Sequence, residues 1–388
     1  MHKKVKNIIS KVDLQLFKFF GTDKGIKSLE NIKEAQIIFS YLNNNENENA
    51  VRFVGGCVRK ALCGEKIDDI DFATSHKPEE VKNILSSNGI EVFDTGLSHG
   101  TVTAVVNQKK FEITTLREDV LPDGRHANVK FTTNWELDAS RRDFTINAIY
   151  VDVYGRIFDP LNGVSDLKNG IIKFIGLPEE RIQEDYLRIL RYFRFFSQYS
   201  KSNHDQDTIK SIKRNINGIS KISNERILSE IKKILSVDKF YKLFSETQSR
   251  EIILNIFPQF KYFKRLTRLN KLEKKLTEKY DDDLIIALLL VDETNNYDYF
   301  CYKYKTSNLF RDRLKNISKN FISLKSKKFF TENNLKKMVY LSNKKNVLDL
   351  LLFLICENNK IEISKVEQLI NYVSSYKIPK FPISGDYL

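Results

Sequence analysis

V-R-F-V-G-G-C-V-R-K-A-L-C-G-E-K-I-D-D-I-D-F-A-T, residues 51–74, decides the reading of the fold. An apolar, β-branched run (51–54) meets a pair of glycines, then a helical stretch, then a second β-rich run, D-I-D-F-A-T (69–74). Further β-rich runs follow at 90–95 (IEVFDT), 101–106 (TVTAVV) and 111–116 (FEITTL). Between the second and third, Pro78 opens a helix through Ser86, and Gly89 lies just past its end. The order β-α-β-α-β-β-β predicts a small mixed sheet backed by helices. Upstream, residues 1–50 read as two helical stretches, the second near 28–42, followed by a polar loop, NNNENENA. From about residue 178 onward the apolar spacing is helical, with almost no strand signal. The fold class expected is therefore α+β, a small mixed-sheet head followed by an all-helical remainder. No internal repeat or low-complexity tail interrupts it.

Composition narrows the alternatives. A chain of 388 residues suits two or three domains, and 41% hydrophobic with 12% aromatic residues is enough to bury real cores. Only 15 glycines and 7 prolines argue against a loop-rich all-β fold. Cys57, Cys63, Cys301 and Cys356 are too few and scattered for a disulfide scaffold or zinc cluster, which favours a reducing, cytoplasmic setting. The longest apolar runs, 284–291 and 350–356, fall well short of the roughly 20 residues of a membrane span. The start, MHKKVKNIISKVD, is basic without an apolar core, so no signal or transit peptide is expected. Net charge is +14, and its placement is uneven: residues 1–160 carry 22 basic and 23 acidic side chains, so the whole excess lies behind them. A polyanion such as RNA would be held by the back of the molecule; Lys-rich, AT-biased coding would give the same excess without a partner.

Three patterns carry chemistry. Asp69 and Asp71, at i and i+2 of the expected strand, would share a face. Two such carboxylates repel unless a cation lies between them, and Mg²⁺ takes one or two carboxylates plus substrate phosphates. Glu112, on a later strand, could complete a site for phosphoryl or nucleotidyl transfer; a solvated acidic edge would look the same. Gly55 and Gly56 stand between strand and helix, where bare backbone can approach a triphosphate, with Arg59 one turn on; an ordinary strand–helix turn is the plain alternative. In E-D-Y-L-R-I-L-R, Glu184, Asp185, Arg188 and Arg191 fall at helical spacing. Asp185 can only accept hydrogen bonds and Arg188 can only donate them. Cytosine and adenine each offer an amino donor beside a ring-nitrogen acceptor, while uracil and guanine reverse both polarities. The pair would thus select C and A without a template. Glu184, at i−4, could fix the Arg188 fork, and Arg191 and Arg194 suit triphosphate contacts. A salt-bridged amphipathic helix is the ordinary fate of this pattern.

Taken in order, G-G-C-V-R (55–59), D-D-I-D-F (68–72), R-R-D-F-T-I-N-A (141–148) and E-D-Y-L-R-I-L-R (184–191) closely resemble the class II tRNA nucleotidyltransferases. These are the CCA-adding enzymes, with bacterial poly(A) polymerases as sisters, in the DNA polymerase β-like superfamily. The likeness runs over roughly residues 50–240; the last 140 or so carry no nameable signature. It implies a catalytic head at 51–160 behind the N-terminal extension, a nucleotide-selecting neck at 161–245 and a tRNA-binding body and tail at 246–388. It implies Mg²⁺ held by Asp69 and Asp71, with Glu112 as third carboxylate. Arg141, Arg142, Asp143 and Asn147 would contact the nucleotide, Asp143 favouring the ribose hydroxyl. D-P-L-N-G-V-S-D-L (159–167) resembles the head–neck connector, and S-N-E-R-I-L-S-E-I (223–231) a neck helix that Ser223 or Asn224 could cap. L-P-D-G-R-H-A-N-V (121–129) resembles the family's flexible loop, with Arg125 its working residue. The activity implied is addition of C and A to the tRNA 3′ end from CTP and ATP, with no DNA or membrane partner. Poly(A) synthesis, C-only or A-only addition, and an RNA-binding protein with a dead head are the alternatives. Lys60 departs from the family, which commonly has an acidic residue there. With five histidines and one His-Asp pair (204–205), a metal hydrolase domain in the C-terminal half is not expected.

Overall fold

The computed structural model describes residues 23–43, 49–123, 126–276, 280–321, 331–358 and 361–378. The chain divides into two compact units: Met1–Arg188 with Tyr199–Ile212, and Ile189–Gln198 with Lys213–Leu388.

The first unit is built on a seven-stranded mixed sheet. Its strands are β1 (Val51–Val54), β2 (Asp71–Thr74), β3 (Glu91–Gly96), β4 (Thr101–Val106), β5 (Lys109–Thr115), β8 (Tyr150–Val151) and β9 (Ile157–Phe158). They lie in the order β3-β4-β5-β2-β1-β8-β9. All neighbours are antiparallel except β2 and β5, which run parallel. Helices Gly56–Cys63 and Pro78–Ser87 occupy the two crossovers as expected, so the β-α-β-α-β-β-β order holds. β4 and β5 close through Asn107 and Gln108, both at positive φ (49° and 65°), as a two-residue hairpin turn requires.

Strand alternation sorts the side chains into two faces. Phe53 and Phe72 are register partners and stack at 5.0 Å between ring centroids; Phe39 and Phe111 pack beside them. Asp71 and Glu112, each next to one of these buried phenylalanines, therefore emerge on the opposite face. There Val54, Ala73, Leu116, Ala139, Ala148 and Tyr150 form a second cluster under the helix Trp135–Ser140.

Three local expectations change. The helix read near 28–42 is two, Asp23–Glu30 and Lys33–Leu42; the first stretch of the extension lies outside the described residues. β2 begins only at Asp71, so Asp69 sits in the lead-in and not on the strand. The stretch read as a loop with little order falls in a two-stranded sheet, β6 (Arg117–Asp123) with β7 (His126–Phe131), Asp123 pairing with His126 across the Asp-Gly signal. Arg125 itself lies outside the described residues.

The second unit is helical among its described residues. The two apolar runs too short to span a membrane form its core: Leu284–Val291 and Leu350–Cys356 are buried throughout, in or beside the helices Asp282–Leu290 and Lys344–Glu357. Arg313 grips Asp349 through two bonds (2.6 and 2.8 Å) and Asp281 through a third (2.9 Å). Asp281 also caps Asp282–Leu290 by accepting from the Leu284 N–H at 3.0 Å. Ser223 caps Asn224–Leu235. No helix among the described residues is long and apolar enough to cross a membrane.

Candidate active site

The acidic site is assembled by strand register. β2 and β5 run parallel with Asp71 opposite Glu112, which puts two carboxylates side by side on one face. Burial pushes Asp71 up to about 6, Glu112 and Asp69 push the same way, and Arg142 and Arg59 pull back. Gly55 follows β1 at φ 73° and ψ −122°, ahead of the helix Gly56–Cys63. An added Cβ there would lie 3.9 Å from Arg142 Nη1 and 4.0 Å from Asp71 Oδ2, so the turn, the guanidinium and the acid meet at one spot. Those contacts are ordinary in length; the backbone angle is what a side chain cannot adopt cheaply. Gly55→Ala should cost about 1–3 kcal/mol of stability, read by denaturant titration.

The donor set suits a hard divalent cation. Burial first and the charges of Glu112 and Asp69 second hold Asp71 near 6, and a cation among these carboxylates would relieve the repulsion. Among the described residues no three His, Cys, Asp or Glu side chains form a closed ligand group. A hard ion here would draw oxygen ligands from Asp71 and its neighbouring carboxylates and the rest of its shell from phosphate and water.

Behind the acids lies a hub that sequence reading missed. Asp138, with no exposed surface, accepts from Arg141 Nε (2.8 Å), Arg142 Nη2 (2.9 Å) and the Tyr150 hydroxyl (2.8 Å). Burial would raise its pKa, but Arg142 and Arg141 overrule it and hold the group at about 2. The hydroxyl of Tyr150 also accepts from Arg142 Nε at 3.0 Å. W-E-L-D-A-S-R-R reads as a surface i,i+3 and i,i+4 ion pair; only Tyr150, from a strand too short to announce itself, makes it a buried one. Further along, Asp143 Oδ1 accepts from Asn147 Nδ2 (2.8 Å), and Asn147 Oδ1 accepts from Arg59 Nη1. Arg59 also lies 5.4 Å from the centre of the Tyr199 ring. The structure thus joins Arg59, Asp143 and Asn147 in one chain and sets Arg142 beside Asp71. Lys60 pairs with Asp68 at 3.2 Å.

The E-D-Y-L-R segment differs from the single helix expected. The helix Pro178–Glu184 ends at Glu184; Asp185 is extended (φ −151°, ψ 103°); a new helix, Leu187–Tyr199, begins beyond. Asp185 serves as its cap: Oδ1 accepts from the Leu187 N–H (3.1 Å) and the carbonyl from the Arg188 N–H (2.9 Å). Asp185 and Arg188 therefore remain one turn apart, by capping instead of helical spacing. Glu184 does pair with Arg188. Arg181, also missed, donates to Glu184 Oε1 (2.8 Å) and to the carbonyls of Arg141 and Arg142. Arg191 and Arg194 belong to the other unit, where Arg194 Nε donates to Glu230 Oε1 at 2.6 Å and Arg191 lies over Phe195.

Comparison with known proteins gives the family. The family model "Poly A polymerase head domain" matches residues 51–173, and "Probable RNA and SrmB- binding site of polymerase A" matches 204–264. The human mitochondrial CCA tRNA nucleotidyltransferase 1 is 49% identical over 193 residues, 49% of this chain and 44% of its own length. The CCA-adding enzyme of Lactobacillus helveticus is 38% identical over 284 residues, 69% of this chain and 67% of its own. This chain belongs to the CCA-adding enzyme family. The CCA-adding enzyme of Bacillus stearothermophilus, solved in complex with CTP, superposes with a TM-score of 0.67 at 27% identity, covering 88% of this chain and 82% of that one. That bears out the α+β class, with its mixed-sheet head and helical remainder. The match spans about half the length of the mammalian members. Nucleotidyltransferases of the CCA-adding family use divalent metal ions.

Proposed function

We propose that the chain adds C and A to the 3′ end of tRNA without a template, using CTP and ATP and releasing pyrophosphate. The observation that carries the reading is the Asp71–Glu112 register beside Arg142: an acid pair with a cation-shaped need, next to a guanidinium. Asp69 and Asp71 would hold Mg²⁺, with Glu112 as third carboxylate; when bound, the ion supplies charge stabilisation at the attacking and leaving oxygens. The tRNA 3′-hydroxyl attacks the α-phosphorus, forming a new P–O bond as the bond to the β-phosphate breaks and the hydroxyl proton is lost. Arg142 and Arg59 hold the nucleotide by charge, and Asp143 and Asn147 accept and fix the ribose. The rest of the rate comes from positioning. Head (51–160), neck (161–245) and body with tail (246–388) divide this work, the basic region beyond residue 160 holding the tRNA backbone and Arg191 and Arg194 steering phosphate. Four free cysteines support a reducing compartment, the cytoplasm in our reading.

Asp185 and Arg188 would read the base edge. Asp185→Ala should narrow the preference for CTP and ATP over UTP and GTP by about 10- to 100-fold, the worth of one charged hydrogen bond of roughly 1.5–3 kcal/mol. Affinity for tRNA should stay near wild type; a variant with full selectivity would contradict the assignment. The matching family models carry poly(A) polymerase names, which favours adenylation as the second reading. Purified protein, tRNAs truncated within the 3′ tail and each nucleotide in turn decide it. Synthesis that stops after C-C-A supports the proposal; run-on adenylation supports the alternative; no incorporation refutes both.

A further inference from the structure

We infer that Arg181 is the specificity-positioning residue of the site, a clamp that ties the R-R-D segment to the base-reading turn. The inference rests on the proposed role of Asp185 and Arg188. Its own ground is the geometry around one guanidinium. The helix Trp135–Ser140 ends with Arg141 as its cap, and the carbonyls of Arg141 and Arg142 have run out of helical partners. Arg181 Nη2 donates to both, at 2.6 Å in the case of Arg142. Its Nη1 donates to Glu184, whose carboxylate also takes Arg188 Nη1. Arg188 Nη1 in turn donates to the Arg181 carbonyl at 2.8 Å. Side chain and backbone of Arg181 thus hold both ends of a closed loop: Arg141–Arg142 on one side, Glu184 and Arg188 on the other. The Arg181 side chain is only 11% exposed, so it acts from behind the site.

The planar fork is what the job needs. Two diverging N–H groups on one side chain can serve the carbonyls and the carboxylate at once; a lysine ammonium is a point donor and cannot span them. Arg188 is consequently presented in one position, and discrimination between bases depends on that position being fixed when the wrong base enters. If Arg188 could swing, a carbonyl or a ring N–H would find an alternative partner, and the penalty for uracil or guanine would shrink.

Single-nucleotide addition by the full chain tests this, with CTP, ATP, UTP and GTP assayed on the same enzyme preparation. The ratio of kcat/KM between C and U is independent of the fraction of folded enzyme, so a structural loss cannot imitate the effect. Arg181→Lys should lower that ratio about tenfold or more, chiefly by raising kcat/KM for UTP relative to CTP. Glu184→Gln, at a more exposed residue of the same loop, should move it in the same direction and guards against a lysine variant that fails to fold. Wild-type selectivity in both variants overturns the inference alone. A wild-type enzyme that shows no preference for C and A removes the base-reading proposal and this inference with it.

Discussion

Asp71→Asn is expected to abolish nucleotide addition, by about 10³-fold or more, while leaving the metal-free protein as stable as the wild type or more so. Three decades correspond to about 4 kcal/mol of lost transition-state stabilisation, within the range for removing a ligand of a charge-stabilising ion. The stability half of the expectation follows from the site's own electrostatics. Asp71 is held up to about 6, first by burial and then by Glu112, so its ionisation opposes folding. The sign is that of a raised acid: its neutral form suits the fold, and stability is lost as pH rises from about 4 through 6. At neutral pH the cost has an upper limit of about 3 kcal/mol, less to the extent that water reaches this half-buried group. Melting in the presence of a chelator should show Asp71→Asn at or above wild type at pH 7, and the two converging near pH 4. Near-normal activity in the variant would remove Asp71 from the reaction.

Asp138→Ala should have the largest effect on the fold. It takes away the carboxylate that the buried Arg142 guanidinium hydrogen-bonds, and breaking such a pair from one side costs about 3–5 kcal/mol. Arg141 and the Tyr150 hydroxyl lose their acceptor at the same time. The pH signature is opposite to that of Asp71. A carboxyl held at about 2 contributes stability that is present above about 4 and is lost as pH falls toward 2. Denaturant unfolding as a function of pH should therefore show an acid-limb loss in wild type that is absent from the variant. Tyr150→Phe, which removes the hydroxyl's two hydrogen bonds and keeps the ion pairs, should cost less, about 1–2 kcal/mol. Equal costs for the two substitutions would mean the carboxylate is not the centre of the hub.

The sequence made the acid site legible because its signals are local. β-Branched runs, glycines at the strand–helix turn and the proline opening Pro78–Ser87 each act over a few residues, and the order of elements followed from them. Glu112 could be placed on the sheet for the same reason, although only the parallel β2–β5 pairing sets it level with Asp71. What escaped depends on distant partners. Asp138 is an ordinary ion-pair residue until Tyr150 and the burial around it are known. Arg181 has its meaning in carbonyls 39 and 40 residues earlier. β8 and β9, at two residues each, are too short for alternation to show. The break at Asp185 carries no glycine or proline; the one clue is an aspartate ahead of an apolar-periodic run, which is also a capping signal. Asp-Gly within L-P-D-G-R-H-A-N-V was read for its lack of order, when it is equally the sign of a hairpin.

The parallel pairing of β2 with β5 has a kinetic consequence. Every other neighbour in the sheet is antiparallel, but these two strands meet only after a crossover through Pro78–Ser87 and the β3–β4 pair has closed. Such contacts have high sequence separation and must pay chain-closure entropy before any reward arrives. The acid pair is therefore absent from any partially ordered chain that has merely formed its helices and hairpins. A nascent or refolding molecule does not bring the repelling carboxylates together until β5 has docked on β2.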